Sequence, residues 1–382
     1  MAIPFLLALG GAVSGYERQV SAVQARAEIS PENLLDVGIH LFDPGLPENK
    51  TSREQEAVFA GVRGSEARYI PVQLKKTLVS TGQWGAVRVL PGESEVDDIM
   101  ISGTILESSG LRLALRIAVS DATGRRWYVR KYKAEAEAGE YEPERIALRD
   151  PFQDLYDDVA NDLLAARQRL GGERLRAIRR VALLRFGADL APGLFADYLH
   201  VSRRRRYRIV KFPASGDPVL DTIRRIRDSG DLLVDTINAY YAAFCTDMEG
   251  PYDDWRLFGF EETRALEEIR HKSRVRKWLG GLLFFTGAGL ITGPAAIQAG
   301  VDKEKEAGIH EAALKELTSR FNDHMQAVLG RLKLDTYSLE DFGRVRFVEW
   351  GRLLDDIFLA DRGLPPDVNA GGKEEGVKAA AP

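Results

Sequence analysis

An uncharged apolar stretch in the last third of the chain constrains its fold more than any other feature. Residues 278–301 contain no ionisable side chain, whereas the segments on both sides are rich in charge. This length is sufficient for an α-helix to cross a hydrocarbon core, which takes roughly 20 apolar residues. Six glycines and Pro294 lower the hydrophobicity and the helix propensity of the stretch. We therefore expect a segment that must be shielded from water by lipid or by protein.

Three interpretations of this apolar stretch remain open. It inserts into a membrane as one span or as a tight Gly-rich hairpin, with a GxxxG from Gly289 to Gly293. Alternatively, it is buried in a helical bundle or an oligomer. The glycines also resemble a phosphate loop, but the βαβ context that would support this interpretation is missing from the sequence. The residues assigned to membrane or assembly contact are Trp278, Leu282, Leu283, Phe284, Phe285, Gly289, Ile291 and Gly293.

Composition excludes some classes of function. A formal net charge of −4 over 382 residues gives no global reason to expect nucleic acid as a partner. The single cysteine, Cys245, excludes intrachain disulfides and cysteine-based metal clusters, and its apolar surroundings predict a buried side chain. The length predicts two or three domains.

The first 15 residues resemble an export signal or a remnant of one, because they are uncharged and end in small residues. Export of the front half conflicts with a single inner-membrane span at 278–301. The basic residues 270–277 before the stretch would normally remain in the cytoplasm. This conflict favours contact with an outer membrane or burial in an oligomer over an inner-membrane anchor.

Period-two alternation dominates the front half of the chain. Apolar and polar residues alternate from Ile99 to Ile105 and from Leu111 to Val119, with turn sequences after each run. Such alternation is typical of strands with one buried face. We expect the first helix to begin near residue 66, because Pro71 belongs in a first turn. The predicted elements of this 35–170 domain are strands at 35–42, 84–90, 99–105, 111–119 and 126–134 and helices at about 66–82 and 143–170.

This order of strand, helix, strand, three-strand meander and helix resembles the small periplasmic α/β domains of the TolB N-terminal and CsgG type. The segments that carry the resemblance are residues 37–42, 74–78, 84–91, 101–105 and 121–127. The resemblance implies a bacterial envelope component that binds partners or assembles without catalysing a reaction. A lipidated cysteine of the CsgG kind is missing from this sequence.

The back half is predicted to be mostly helical. Residues 171–216 are interpreted as a connector with strands near 179–186 and 207–213, either a degenerate second copy of the first domain or a hairpin that extends its sheet. Asp217 and Pro218 are typical of a helix start. We expect a helical module over 217–362, with separate helices at about 217–228, 231–249 and 261–277, and a disordered tail at 363–382.

No catalytic, cofactor or metal signature is found in the sequence. An arginine run predicts either a solvated hairpin turn or an anionic contact, with phosphate headgroups or lipopolysaccharide as the preferred ligand of such a contact. Aromatic residues after Gly250 predict helix packing or a partner contact, and the neighbouring Asp253 and Asp254 leave a hydrolase open. The arginines are Arg203, Arg204, Arg205 and Arg206, and the aromatic partner-contact residues are Tyr252, Trp255 and Phe258.

These observations predict an α+β protein that is a non-enzymatic accessory protein of the cell envelope, in the periplasm or at the outer membrane. Its expected partners are other envelope proteins, a membrane and copies of itself. The alternatives are an inner-membrane-anchored interaction protein with one span at 278–301 and an uncharacterised hydrolase.

Overall fold

The computed structural model describes residues 20–46, 50–90, 97–190, 195, 197–213, 217–285 and 318–320, with the side chains of 50–60 and 270–285 left aside. Its centre is a five-stranded mixed sheet with helices around it, which confirms the predicted α+β class. The strands are β1 Val37–His40, β2 Val87–Leu90, β3 Ile99–Ser108, β4 Arg112–Asp121 and β5 Arg126–Glu135. The helices are α1 Lys50–Ser80, α2 Pro143–Ile146, α3 Gln153–Gln168, α4 Gly172–Leu190 and α5 Pro218–Phe285.

The sheet has the strand order β2-β1-β3-β4-β5, in which β1 is parallel to both of its neighbours and β3, β4 and β5 form an antiparallel meander. The alternation seen in the sequence sets its two faces. Ile117 and Val119 of β4 are fully buried on the face that packs against α1 and α3, whereas Arg116 is exposed on the opposite face. We call this opposite face the open face of the sheet.

The first helix is longer than predicted. It runs over Lys50–Ser80, so the loop expected up to Gly64 is helical and Pro71 lies inside the helix rather than in its first turn. A proline in a helix interior costs about 3 kcal/mol. Here the neighbouring Ile70 and Leu74 are almost completely buried, and burial of their turns offsets that cost.

The predicted strand near 179–186 is wrong, because this segment lies inside α4. Val181, Ala182, Leu183 and Leu184 are all buried, since α4 is covered by α5 on one side and by a small hairpin on the other. A helix buried on several sides has a continuous apolar run, which periodicity alone does not distinguish from a buried strand. A second copy of the first domain is therefore not present at 171–216.

The hairpin consists of β6, Leu199–Val201, and β7, Tyr207–Ile209, which form a separate two-stranded sheet. It does not extend the main sheet, so the expectation of a hairpin that adds to that sheet is wrong. It is docked instead against the turn between β4 and β5, where the Tyr207 backbone N–H donates to the Thr123 carbonyl at 2.9 Å.

Helix α5 is a single element where three helices were predicted. Its start is as expected, because the Asp217 carboxylate accepts a hydrogen bond from the Val219 N–H at 2.9 Å. It continues through Pro251 to Phe285. Many of its side chains, including Ile237, Phe244 and Trp255, belong to the same hydrophobic core as the sheet. The predicted boundary between an α/β domain and a helical module therefore does not separate two cores.

The side chain of Asn238 on α5 closes one edge of the sheet. Its amide nitrogen donates to the Val89 carbonyl at 2.8 Å, and its amide oxygen accepts from the Val89 N–H at 2.9 Å. This pair of bonds imitates a neighbouring strand and satisfies backbone groups that an edge strand leaves open. Next to it, Arg88 forms ion pairs with Asp231 and Asp235 of α5.

The predicted features at the ends of the chain and in the apolar stretch lie mostly outside the described residues. Residues 1–15, the tail 363–382 and residues 286–301 belong to this group. Residues 278–285 are described as the last two turns of α5. Within the part of the chain that the structure describes, no helix combines the length and the apolar character that a bilayer span requires.

Candidate anion-binding cleft

A cleft of about 730 Å³ lies over the open face of the sheet. Its floor consists of alternate residues of adjacent strands, as the pleat requires. Its walls are the β6–β7 hairpin and one side chain of α4. The floor residues are His40 of β1, Leu90 of β2, Met100, Ser102 and Thr104 of β3, and Arg116, Ala118 and Ser120 of β4.

Close backbone contacts fix the hairpin wall. A Cβ atom on Gly124 would lie 2.0 Å from the Arg205 carbonyl oxygen, and Gly124 has φ +77°, so both the contact and the conformation require glycine. From α4, the Arg185 guanidinium lies 4.1 Å from the centre of the Tyr207 ring and donates to the Ala122 carbonyl at 2.8 Å. The wall is therefore held to the sheet by a glycine contact, a backbone hydrogen bond and a stacked arginine.

Positive charge converges on this cleft from four elements. Arg116 comes from β4, Arg126 from β5, Arg185 from α4 and Arg205 from the hairpin. Arg116 and Arg126 have no side-chain hydrogen bond or ion pair with a described residue, although both lie beside polar groups. Arginines that line one cleft raise the local positive potential, which attracts an anion.

The described carboxylates that line the cleft are held by other groups. Asp121 accepts hydrogen bonds from the backbone N–H and the hydroxyl of Thr123 and from the Trp127 indole N–H at 2.8 Å. Asp43 accepts one from the Gly45 N–H at 2.8 Å. Neither forms an ion pair with Arg116 or Arg126, so these two guanidinium groups remain unpaired among the described residues.

The backbone of Arg205 has an unusual conformation for its residue type. Its φ is 53°, and it is the one non-glycine residue with positive φ among those described. It occupies the left-handed position of the hairpin turn, where the Arg205 N–H donates to the Ser202 carbonyl and the Ser202 N–H donates to the Arg206 carbonyl, both at 2.9 Å. Glycine is the usual residue there. A strained arginine at the rim of a basic cleft is typical of a functional position.

The predicted arginine run is therefore split by the structure. All four residues of the run are exposed at the hairpin turn, but only Arg205 lines the cleft. The other three cleft arginines were not predicted as site residues. The polar face of β4 carried a signal for Arg116, since it alternates with buried apolar residues. No local pattern places Arg185 or Arg126 beside it, because tertiary packing brings them together.

The predicted aromatic partner contact is corrected. Tyr252 and Trp255 are 3% and 2% exposed and lie in the core, and Phe258 is half-buried. They belong to a helix rather than an interhelix loop. The Tyr252 hydroxyl donates at 2.7 Å to Glu66, which also accepts from Ser108 at 2.5 Å. Tyr252 and Trp255 are therefore unavailable to a partner, and the hydrogen bond of Tyr252 to Glu66 attaches α5 to α1.

Burial raises the pKa of Glu66, even though hydrogen bonds and nearby arginines oppose the shift. The neighbouring Arg256 donates to Asp150 at 2.8 Å and to Asp253 at 2.5 Å. A second cleft of about 570 Å³ lies beside this network, and no histidine is among its described lining residues. The arrangement that would favour a hydrolase, Asp253 or Asp254 beside a histidine, is therefore not found among the described residues.

An acidic cluster joins the start of α5 to the sheet. Arg227 lies 3.7 Å from Asp36 and 3.8 Å from Asp97, at the ends of the strands where β1 and β3 begin. Burial raises the pKa of Asp97 to about 7 and that of Asp98 to about 6, and the charge of Arg227 opposes both shifts. No group of described residues has the make-up of a metal site.

Comparison of the chain with protein-family models, with curated proteins and with solved structures gives no match.

Proposed function

We propose that this chain is a non-enzymatic accessory protein of the cell envelope. Its α/β head binds an anionic partner in the arginine cleft, and its apolar stretch attaches it to a membrane or to copies of itself. The observation that carries this proposal is the continuity of α5. One helix contacts the sheet as far as Glu267, whose carboxylate accepts a hydrogen bond from Arg112 of β4 at 2.9 Å, and continues to Phe285, eight residues into the apolar stretch. A single helix therefore connects the α/β head to the start of the apolar stretch.

The cleft and the helix that leads into the apolar stretch contact opposite ends of the meander. Arg205 contacts Gly124 after the end of β4, whereas Arg256 and Phe260 of α5 contact Gly110 before its start. A strand of this length separates its ends by roughly 30 Å. A protein attached through the far end of α5 thus presents its cleft away from that attachment, as an adaptor between two partners requires.

The role of the apolar stretch is tested by extraction from cells. The wild-type chain is expected in the membrane pellet after a carbonate wash, or in a large assembly if it is soluble. Phe284→Glu places a charge in the stretch and should shift the protein to a soluble monomer. Leu232→Glu is the matched control, since Leu232 is 69% exposed on the same helix. If Phe284→Glu and the wild type behave alike, the stretch is not the attachment.

Location in the cell envelope is tested by labelling an introduced surface cysteine with a maleimide that does not cross membranes. Cys245 is 1% exposed, and burial raises the pKa of its thiol to about 12, so the wild type should not react with a maleimide. Lys133→Cys adds one exposed thiol on β5. A membrane-impermeant maleimide should label this variant in cells with a permeabilised outer membrane. Labelling only after lysis would favour the alternative, an inner-membrane anchor with the head inside the cell.

A further inference from the structure

We propose that the arginine cleft is a binding site for an organic phosphate, a phosphate ester that carries an apolar or ring-shaped group. This inference deepens the proposed function by naming the class of its anionic ligand. It rests on the cleft alone and does not depend on the apolar stretch. Three properties of the cleft lead to it: its charge, its hydrogen-bond donors and its size.

The charge of the cleft indicates an anion with two negative charges. The two positive charges of Arg116 and Arg126, which no described carboxylate pairs with, match a phosphate monoester or a pyrophosphate better than a single carboxylate. Guanidinium groups bind phosphate oxygens with two parallel hydrogen bonds. Arg116 and Arg126 reach the cleft from neighbouring strands, since Ser120 of β4 pairs with Arg126 of β5. Two arginines on a rigid sheet thus bring two positive charges to the same cleft.

The hydrogen-bond donors around the arginines fit the same class. Ser102, Thr104 and Ser120 line the floor with hydroxyl groups, and His40 lies at the end of β1. Hydroxyls donate to the phosphate oxygens that the guanidinium groups leave open. These polar groups project from strands, and sites built on strands hold their geometry better than sites built on loops.

The size of the cleft leaves room for more than inorganic phosphate. A volume of about 730 Å³ lies within the range of 300–1,000 Å³ that is common for sites of drug-sized ligands. Leu90, Met100 and Ala118 add apolar surface to the floor, and Tyr207 adds a ring at the wall. These groups suit the organic part of a phosphate ester, for example a base or a sugar with an apolar face.

A phosphate ester can come from a soluble metabolite or from a lipid headgroup, and the geometry favours the soluble source. The hairpin wall of the cleft contacts Gly124 after the end of β4, whereas α5 contacts Gly110 before its start, so the length of β4 separates the two contacts. A headgroup of the membrane that holds the apolar stretch would thus lie at the wrong end of the meander. The experiment therefore includes both sources.

The test measures binding to the purified full-length chain in detergent by calorimetry. The probes are sodium pyrophosphate, a nucleoside monophosphate and detergent micelles with or without phosphatidylglycerol. The nucleotide should bind, and the affinity should fall as salt is added. Arg116→Gln and Arg126→Gln should each weaken binding about tenfold, because each removes a charged hydrogen bond. Lys133→Gln is the matched control, an exposed basic residue of β5 outside the cleft, and should change affinity less than about twofold.

Each outcome decides the question, provided that the circular dichroism spectra of the variants match the wild type. Binding of the soluble phosphates that depends on Arg116 and Arg126 supports the inference. Binding of the phosphatidylglycerol micelles alone, with the same dependence, supports the site and assigns it to a lipid headgroup. No binding of any probe overturns the inference, and so does equal weakening by Lys133→Gln. Because the assay does not use the apolar stretch, either negative result leaves the attachment part of the proposed function to its own test.

Discussion

Replacement of Arg205 by glycine should stabilise the fold and weaken the site at the same time. Arg205 has φ 53°, a conformation that costs an L-residue roughly 1–2 kcal/mol. Glycine removes that cost but loses roughly 0.5–1 kcal/mol to the greater freedom of the unfolded chain. The net gain is about 0.5–1 kcal/mol. Arg205→Ala is the matched control, since it removes the same guanidinium and keeps the strain.

The assay is urea unfolding followed by circular dichroism. We expect the midpoint for Arg205→Gly to exceed that of Arg205→Ala by about 0.3 M, from a gain of about 0.7 kcal/mol and a slope of about 2–3 kcal/mol per M. Both variants should bind organic phosphate more weakly than the wild type. If Arg205→Gly is no more stable than Arg205→Ala, the turn is not strained. If Arg205→Gly and Arg205→Ala both bind organic phosphate as tightly as the wild type, the Arg205 side chain takes no part in binding.

Three further predictions concern the attachment of α5. Asn238→Ala should cost about 3 kcal/mol in urea unfolding, because it leaves the backbone N–H and C=O of Val89 without partners, and wild-type stability would contradict the edge closure. Arg256→Met should cost about 4 kcal/mol by the same assay, since it leaves the buried Asp150 carboxylate without its cation, and Lys133→Met is the exposed control. Asp97→Asn should flatten the pH dependence of stability. With a folded pKa of about 7 and an unfolded pKa near 3.8, Asp97 keeps a proton in the folded state that the unfolded chain releases, so wild-type stability should fall between about pH 4 and 7. An equal slope in the variant would contradict this assignment.

The sequence predicted those parts of the fold that depend on local periodicity. The meander was predicted because Leu113, Leu115 and Ile117 alternate with polar residues, and its pairing confirms the pattern. The strand predicted near 179–186 failed for a physical reason. Residues of α4 are buried on several sides, so the polar stripe that marks a surface helix is missing. Pro71 and Pro251 also misled the prediction, since tertiary packing outweighs their local cost.

The candidate site depended on contacts that no local pattern encodes. The arginine run in the sequence includes Arg205. Arg205 belongs to the cleft because its backbone packs against Gly124, some 80 residues earlier in the chain. Asn238 offers no signal at all, because its role appears only where α5 passes the free edge of β2. Long-range pairs of this kind are set by the packing of whole elements, and a single sequence does not reveal them.

The central claim is that the apolar stretch attaches the chain to a membrane or to copies of itself. Sedimentation equilibrium of the purified full-length chain, with and without detergent, tests it most directly. We predict either a protein that stays in solution only with detergent or an assembly whose mass is a multiple of 42.4 kDa. A stable 42.4 kDa monomer in buffer without detergent would contradict the claim.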